Sequence, residues 1–226
     1  LSTPADHRRV LLAGATGLVG GQILQALLAD PSVSEVHALS RRPLDIGHPK
    51  LRVHIVDVAR MADSPALPPA DEAYLAIGTT IKVAGSQAAF RAVDLDANLA
   101  VARAARAAGV RRIGLVSAAM ASAASSTFYN RVKGELEDAL KAMDFQALVI
   151  AQPSLLLDYR DGLQQPPRFG ERLAIPFGKL LGPLLPGAYR PVHARAVARA
   201  LVRTMPGAEG VVVLPSDVLI RIGGQD

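Results

Sequence analysis

The sequence predicts an α/β fold, a doubly wound parallel sheet with a small C-terminal lobe. Three observations predict it. Over the first two-thirds of the chain short apolar runs alternate with helical patterns, which implies parallel strands covered on both faces. A glycine-rich turn, GATGLVG at residues 14–20, joins the first apolar run to the first helical pattern. The chain has 226 residues, 50% hydrophobic and 20% charged, which suits one large domain with a globular core. Aromatics make up 4%, so Ala, Val and Leu must fill that core.

In order, RRVLLAG is a short strand, and LVGGQILQALLAD has helical periodicity that stops at Pro31. EVHAL, LRVHIVDV and EAYLAIG are three further strands. SQAAFRAVDLDANLAVARAARAAG reads as one long Ala-rich helix ending at Gly109, a residue type suited to the left-handed cap position. RRIGLVS is a fifth strand, STFYNRVKGELEDALKAM a helix with Ser/Thr at its start, and FQALVIAQP a sixth strand, the Ser/Thr being expected as the helix cap. After Pro153 the pattern breaks, and residues 154–190 show no clear period. VHARAVARALVRTM then reads as a helix, GVVVLP as a strand and DVLIRIG as a last short helix. Residues 1–226 are thus expected to form a single nucleotide-binding domain, with 154–226 as the lobe covering a substrate pocket.

Composition excludes several classes. The chain has no cysteine, which removes disulfides, thiolate nucleophiles and cysteine metal sites. Its five histidines, at 7, 37, 48, 54 and 193, lack close ligand spacing, so no metal site is expected. The net charge of +5 favours anions. The arginines are scattered rather than striped, so phosphate on a small ligand is expected and nucleic acid is not. Arg103, Arg106, Arg111 and Arg112 read as a solvated face. No run approaches the roughly 18 apolar residues a bilayer span needs. RLAIPFGKLLGPLLPG is apolar with basic residues, but its glycines and prolines favour a pocket cover or a homodimer contact over a membrane-surface helix. No targeting segment is evident, and a cytoplasmic location is expected.

The glycine turn carries the strongest signal. Gly14, Gly17 and Gly20 lie between a first strand and a first helix, the context that makes such a pattern specific for a dinucleotide. The first glycine permits a tight turn, the second lets backbone approach a pyrophosphate, and the third lets the helix pack close to the strand. The helix N-terminus offers free N–H groups and partial positive charge. Thr16, Leu18 and Val19 belong to the same phosphate loop. The spacing is G-x-x-G-x-x-G, so the ordinary dehydrogenase fingerprint is not matched.

The adenosine ribose is expected at the end of the second strand, about 20 residues past the glycines. An NAD-selective site places Asp or Glu there; this chain has Ser40, then Arg41 and Arg42. A serine removes the carboxylate that would repel a 2′-phosphate, and guanidiniums pair with one. A solvated basic turn before Pro43 is the alternative. Asp57 falls where an adenine amino group would be contacted, or it caps a loop. Gly78 and Thr79, after the fourth strand, are placed against the cofactor's phosphate and ribose.

Tyr129 and Lys133 lie four apart on a helix, hence on one face. With the glycine spacing, SRRP, IGTT, LVSA, YNRVKGELE and QPSLLL, the chain resembles an atypical short-chain dehydrogenase/reductase. It is most similar to the small Tat-interactive-protein-like oxidoreductases. The resemblance spans nearly the whole chain. It implies a Rossmann fold, NADP(H) as cofactor, and Tyr129 and Lys133 as the family's Tyr-x-x-x-Lys pair. It also implies that Tyr129 exchanges a proton with the substrate oxygen, and that Lys133 binds the nicotinamide ribose and favours the phenolate by its charge. Pro153, Ser154 and Leu155 match the segment at the nicotinamide end. Ser117 matches the serine that orients a carbonyl; relatives with longer chains place that position nearer Ala119, and Ser122, Ser125 and Ser126 are substitutes. Where many relatives have Asn this chain has Asp94, with Asn98 one turn on, which argues against a proton relay through that helix. His193 is matched as a structural position.

Two function classes follow. One is an NADPH-dependent reductase of a small carbonyl-type substrate; the other is an NADP(H)-binding regulator or redox sensor on the same fold. The intact Tyr129/Lys133 pair favours the first and the unassigned serine the second. Tyr159, Arg160, Arg168, Phe169 and Phe177 offer no pattern that names a substrate.

Overall fold

RRVLLA forms β1 (Arg8–Ala13), whose last four residues are buried, as a strand covered on both faces requires. The structure is a computed structural model that describes residues 7–63, 66–158 and 186–224. After β1 come α1 (Leu18–Ala29), β2 (Val33–Ser40), β3 (Leu51–Ile55), a 3-10 turn (Val58–Asp63) and β4 (Glu72–Leu75). Next are α2 (Ile81–Ala84), α3 (Gln87–Arg91), a π turn (Ala92–Ala97), α4 (Asn98–Ala107), β5 (Arg112–Val116), α5 (Phe128–Lys141) and β6 (Ala147–Gln152). The described C-terminal part adds α6 (Ala194–Thr204), β7 (Gly210–Pro215) and α7 (Ser216–Gly223).

The seven strands form one sheet in the order β3-β2-β1-β4-β5-β6-β7, and every neighbouring pair is parallel. This is a Rossmann-type doubly wound fold. The order reverses between β1 and β4, which opens a crevice beyond their carboxyl ends, the place where such sheets bind ligands. One apolar core packs α1 and α6 on one face through Val19, Ile23, Leu24, Val197 and Leu201. A second packs α3, α4 and α5 on the other through Phe90, Val101, Val132 and Leu136. β7 extends the sheet beyond β6, and α7 packs against α6. Residues 159–185, with Tyr159, Arg160, Arg168, Phe169 and Phe177, lie outside the described residues.

Three local expectations are corrected. The Ala-rich helix runs unbroken from Gln87 to Ala107 but is not regular: α3, a π turn and α4 follow one another with helical backbone at each junction. The physical reason is Asn98, whose amide donates to the carbonyls of Asp94 at 3.1 Å, Val93 at 3.4 Å and Ile77 at 3.2 Å. A side-chain donor inserted into the backbone ladder opens the turn. The fourth strand ends at Leu75, and the short α2 follows, capped by the Thr80 side chain accepting from the Val83 N–H. Thr127 occupies the N-cap of α5 without capping it; its hydroxyl lies 3.1 Å from Ser125 Oγ. Gly109 adopts a φ of 92°, and its N–H donates to the Arg106 carbonyl, closing the end of α4 as its residue type predicts.

At the amino ends of the strands, Arg8 ties three elements together. Its guanidinium lies 2.7 Å from both Asp30 and Glu72. Glu72 is 1% exposed and accepts from the Tyr74 hydroxyl at 3.2 Å. Burial, then the charge of Glu72, pushes the Tyr74 phenol well above its ordinary range. Burial opposes ionisation of Asp30, but hydrogen bonds from Ser32 and the charges of Arg8 and Lys50 outweigh it and hold the carboxyl below its usual range.

Removing one partner of a buried pair leaves the other uncompensated, at roughly 3–5 kcal/mol. Arg8→Met should lose about that much in urea unfolding. Arg9→Met should lose less than about 1 kcal/mol, because Arg9 and Asp71 are half-exposed and 3.9 Å apart. Because the Asp30 pKa is lowered on folding, its contribution is complete above about pH 4 and is lost as pH falls below that. Asp30→Asn should therefore flatten the acid limb of stability against pH.

Candidate cofactor and active site

The glycine turn lies at the switch point, and each glycine there has a different reason. Gly14 has a φ of 96°, and a Cβ on it would fall 2.5 Å from the Ala76 carbonyl group. A Cβ on Gly20 would fall 2.0 Å from the Gly14 oxygen, so α1 packs backbone to backbone on the turn. Gly17 differs: its φ is −82°, open to any residue, and the nearest atom to a Cβ there is the Gly14 oxygen at 3.3 Å. Packing at Gly17 is therefore far less restrictive than at Gly14 or Gly20, though a Cβ there would need the Gly14 oxygen to give by a few tenths of an ångström. Gly17 heads α1 with no side-chain cap and no acidic residue in the first turn. The first N–H groups of a helix have no intrahelical partner, and here no side chain answers them as a cap. Exposed Thr16, half-buried Leu18 and buried Val19 complete the loop. A diphosphate fits this cradle chemically: open backbone, free donors, helix-end positive charge and no competing carboxylate.

Across the crevice, Gly78 and Thr79 follow β4. The Thr79 N–H donates to Asp94 Oδ2 at 2.8 Å. The other oxygen of Asp94 is 2.7 Å from Lys133 Nζ, and the two side chains are 1% and 5% exposed. A Cβ on Gly78 would lie 3.3 Å from Asp94 Oδ1 and 3.8 Å from Lys133 Nζ. Thus Gly78, Thr79, Asp94 and Lys133 converge. Tyr129, one turn before Lys133 on α5, is 36% exposed. Its ring centroid is 5.5 Å from that of fully buried Phe90, which fixes the base of the phenol while leaving part of it in solvent.

A second polar cluster lies one turn further along α5. Ser117 donates to Glu137 Oε1 at 2.5 Å, and the Gln152 amide donates to both oxygens at 3.0 and 3.1 Å. Glu137 is 4% exposed, so one carboxylate joins α5 to the carboxyl ends of β5 and β6. The loop after Ser117 is pressed onto α5 at Gly134, where a Cβ would fall 2.1 Å from the backbone of Ser122. The Ser122 N–H donates to the Asn130 carbonyl, and Arg131 donates to the Ser125 carbonyl. Of the alternative serines, Ser122 and Ser126 are exposed and Ser125 is half-buried. The Ala119 N–H donates to the Pro153 carbonyl, which holds the 153–155 segment beside this loop. Ser154 donates to the Arg190 carbonyl at 2.6 Å, and its N–H donates to buried Ser216. His193 Nδ1 is 3.0 Å from Asp158, whose carboxylate also accepts from the Ala194 N–H at the head of α6.

At the end of β2, Ser40 Oγ accepts from the Arg42 N–H at 3.3 Å. Arg41, Arg42 and Asp57 are exposed, on loops adjoining the carboxyl ends of β2 and β3. Asp94, Glu137 and Gln152 were not singled out as a joined set by sequence reasoning, although Glu137 follows Lys133 by four and so shares its helix face.

Residues 14–159 match the family described as NAD(P)H-binding. A curated relative, the mitochondrial protein fmp52 of Aspergillus clavatus, is 36% identical over 96% of this chain and 99% of its own length. The mitochondrial protein FMP52 of Candida albicans is 30% identical over 95% of this chain and 94% of its own. Among solved structures, MoeE5 in complex with UDP-glucose and NAD superposes with a TM-score of 0.68 at 19% identity, covering 91% of this chain and 75% of that one. A short-chain dehydrogenase/reductase superfamily protein from Agrobacterium tumefaciens with bound NAD gives a TM-score of 0.65 at 17% identity, covering 92% and 77%. At those identities the likeness is one of fold. The expected cytoplasmic location is corrected: the relatives are named mitochondrial. That expectation rested on absent cysteines and an absent targeting segment, and neither absence specifies a compartment. Among the described residues no helix is long and apolar enough to cross a membrane.

The two glycines of the turn should separate on substitution. Gly20→Ala should destabilise the fold severely, because its methyl would overlap a main-chain oxygen, and the loss should be visible as a lowered melting temperature. Gly17→Ala should keep the melting temperature within a few degrees of the parent, the scale of about 1 kcal/mol or less.

Proposed function

The chain belongs to the NAD(P)H-binding family, and we propose that it is an NADP(H)-dependent oxidoreductase acting on a small carbonyl-type substrate. The bound nicotinamide would supply or accept a hydride; the protein's residues bind, orient and move a proton. In this reading Gly14 to Gly20 hold the diphosphate, with Gly17 leaving the path for it. Ser40, Arg41 and Arg42 receive the 2′-phosphate, and Asp57 the adenine edge. Gly78, Thr79 and Lys133 take the nicotinamide ribose, and Pro153 to Leu155 border the ring. Tyr129 is the proton donor, and Ser117 the candidate for orienting the substrate oxygen. The resemblance to the Tat-interactive-protein-like oxidoreductases supports these roles. We place its working compartment with that of its mitochondrial relatives.

One observation carries the reading: Lys133, a buried cation, is held by Asp94 beside the Gly78–Thr79 loop, one helical turn from a part-exposed tyrosine. A second reading, a cofactor-binding regulator without turnover, is favoured by the Ser117 hydroxyl being engaged by Glu137.

Cofactor choice is tested at the basic turn. Hydrogen bonds to charged groups contribute roughly 1.5–3 kcal/mol each, so NADPH should bind about tenfold to a thousandfold tighter than NADH. Replacing Arg41 and Arg42 together by Ala should abolish that preference and leave NADH affinity nearly unchanged. Equal affinities in the parent would remove the 2′-phosphate assignment. Gly17→Val should stay folded and lose NADPH.

Turnover is tested on α5. With a panel of carbonyl compounds followed by NADPH absorbance, Tyr129→Phe should lower the rate by about 10²–10⁴, the usual contribution of a positioned acid, with NADPH affinity kept. Lys133→Met should lower both. Full activity in Tyr129→Phe would sink the proton-donor assignment, and absence of any turnover with intact NADPH binding would favour the regulator.

A further inference from the structure

We infer that Asp94 is the positioning residue of the cofactor site, a single carboxylate that sets Lys133 and the Gly78–Thr79 loop in fixed relation to each other. The inference rests on the reading above, in which both are cofactor contacts. Its first support is connectivity. Asp94 Oδ2 accepts from the Thr79 N–H at 2.8 Å, and Oδ1 lies 2.7 Å from Lys133 Nζ. One side chain on the α3–α4 helix thus joins the loop after β4 to the catalytic turn of α5.

The second support is the backbone that presents it. Asp94 lies within the π turn Ala92–Ala97, a local widening that is frequent at functional sites. Asn98 stabilises that widening and also donates to the Ile77 carbonyl, so the residue that opens the turn grips the same loop. Asp94 and Asn98 therefore hold Ile77 to Thr79 from both sides of Gly78.

The third support is energetic. A buried ion pair is seldom a net stabiliser, because desolvating both charges offsets their attraction, and apolar pairs of similar volume often do as well or better. This pair is almost wholly buried. A core requirement alone would be met by apolar side chains. A requirement to deliver one ammonium to one place is met by a carboxylate at hydrogen-bond distance. Asp94 acts through Lys133 and is not itself assigned to the substrate.

The test is NADPH affinity by fluorescence titration, which needs no substrate, with melting temperature measured alongside. Asp94→Asn keeps the shape and the Thr79 bond and removes the charge. Asp94→Glu keeps the charge and moves the carboxylate by one methylene, and it carries the test if the Asn variant does not fold. Each should weaken NADPH about tenfold, in the range for residues of one network. Asp94→Asn combined with Lys133→Met should bind no more weakly than Lys133→Met alone, since the first residue acts through the second. If Lys133→Met weakens NADPH while the folded Asp94 variants bind as the parent does, or if the losses simply add, Asp94 is a buried counter-ion only and the inference is overturned. If Lys133→Met itself leaves NADPH affinity unchanged, the cofactor assignment falls, and this inference with it.

Discussion

The constraint on which the candidate site depends is a main-chain one. The carbonyl of Gly14 lies where any side chain at residue 20 would collide, and Gly14 itself abuts the carbonyl of Ala76. These contacts fix the head of α1 against the end of β1 and against the chain leaving β4. No side chain can loosen them by changing rotamer, because the atoms in contact are backbone. The width of the crevice at the switch point, and the direction in which the α1 N–H groups face, follow from that fit. The loop after β4 then carries the position outward to Asp94, and Asp94 carries it to Lys133. The candidate site is therefore a chain of short contacts that starts from two glycines.

The polar interior is divided between the two ends of the sheet. At the amino ends, Arg8, Asp30, Glu72 and Tyr74 form a network whose role is structural: it joins β1, β4 and the turn after α1. At the carboxyl ends, two buried carboxylates, Asp94 and Glu137, each draw elements together at the candidate site. Both act on α5, one turn apart, so the helix bearing Tyr129 is tethered by charge on its buried face while its apolar residues fill the core. Among the described residues, the shared chemistry of the two carboxylates is to convert the loose ends of strands into fixed points.

The sheet and its helices were legible because the signals are local. The alternation of apolar runs, the breaker at Pro31 and the glycine at residue 109 need no knowledge of distant residues. Gly14 and Gly20 were legible for the same reason, since a strand–turn–helix leaves few ways to pack. The distinct status of Gly17 was not derivable locally; it became visible only when the space around it could be measured. The π turn was invisible because Ala92–Ala97 has the composition of an ordinary helix, and its cause, the Asn98 amide reaching Ile77, spans 21 residues. Asp94 was noted as a departure from a pattern, yet its partners come from β4 and α5, and no periodicity brings those together. Glu137 was legible as a neighbour of Lys133, but not as a partner of Ser117 and Gln152, which reach it from other elements.

The π turn has a consequence for how this chain can vary. Such a turn takes up one residue more than an α-helical turn. In a regular helix an added residue would rotate everything after it by about 100°, carrying Ala102 and Ala105 toward the exposed positions that Arg103 and Arg106 now fill. Here the widening absorbs the addition, so Val101, Ala102 and Ala105 stay buried in the slots they would hold in a regular helix one residue shorter. The helical phase of the core is thereby uncoupled from the length of the segment that bears Asp94. Removing one residue at that turn would close it to regular helix, so the carboxylate can be lost while the packing beneath it stays in step.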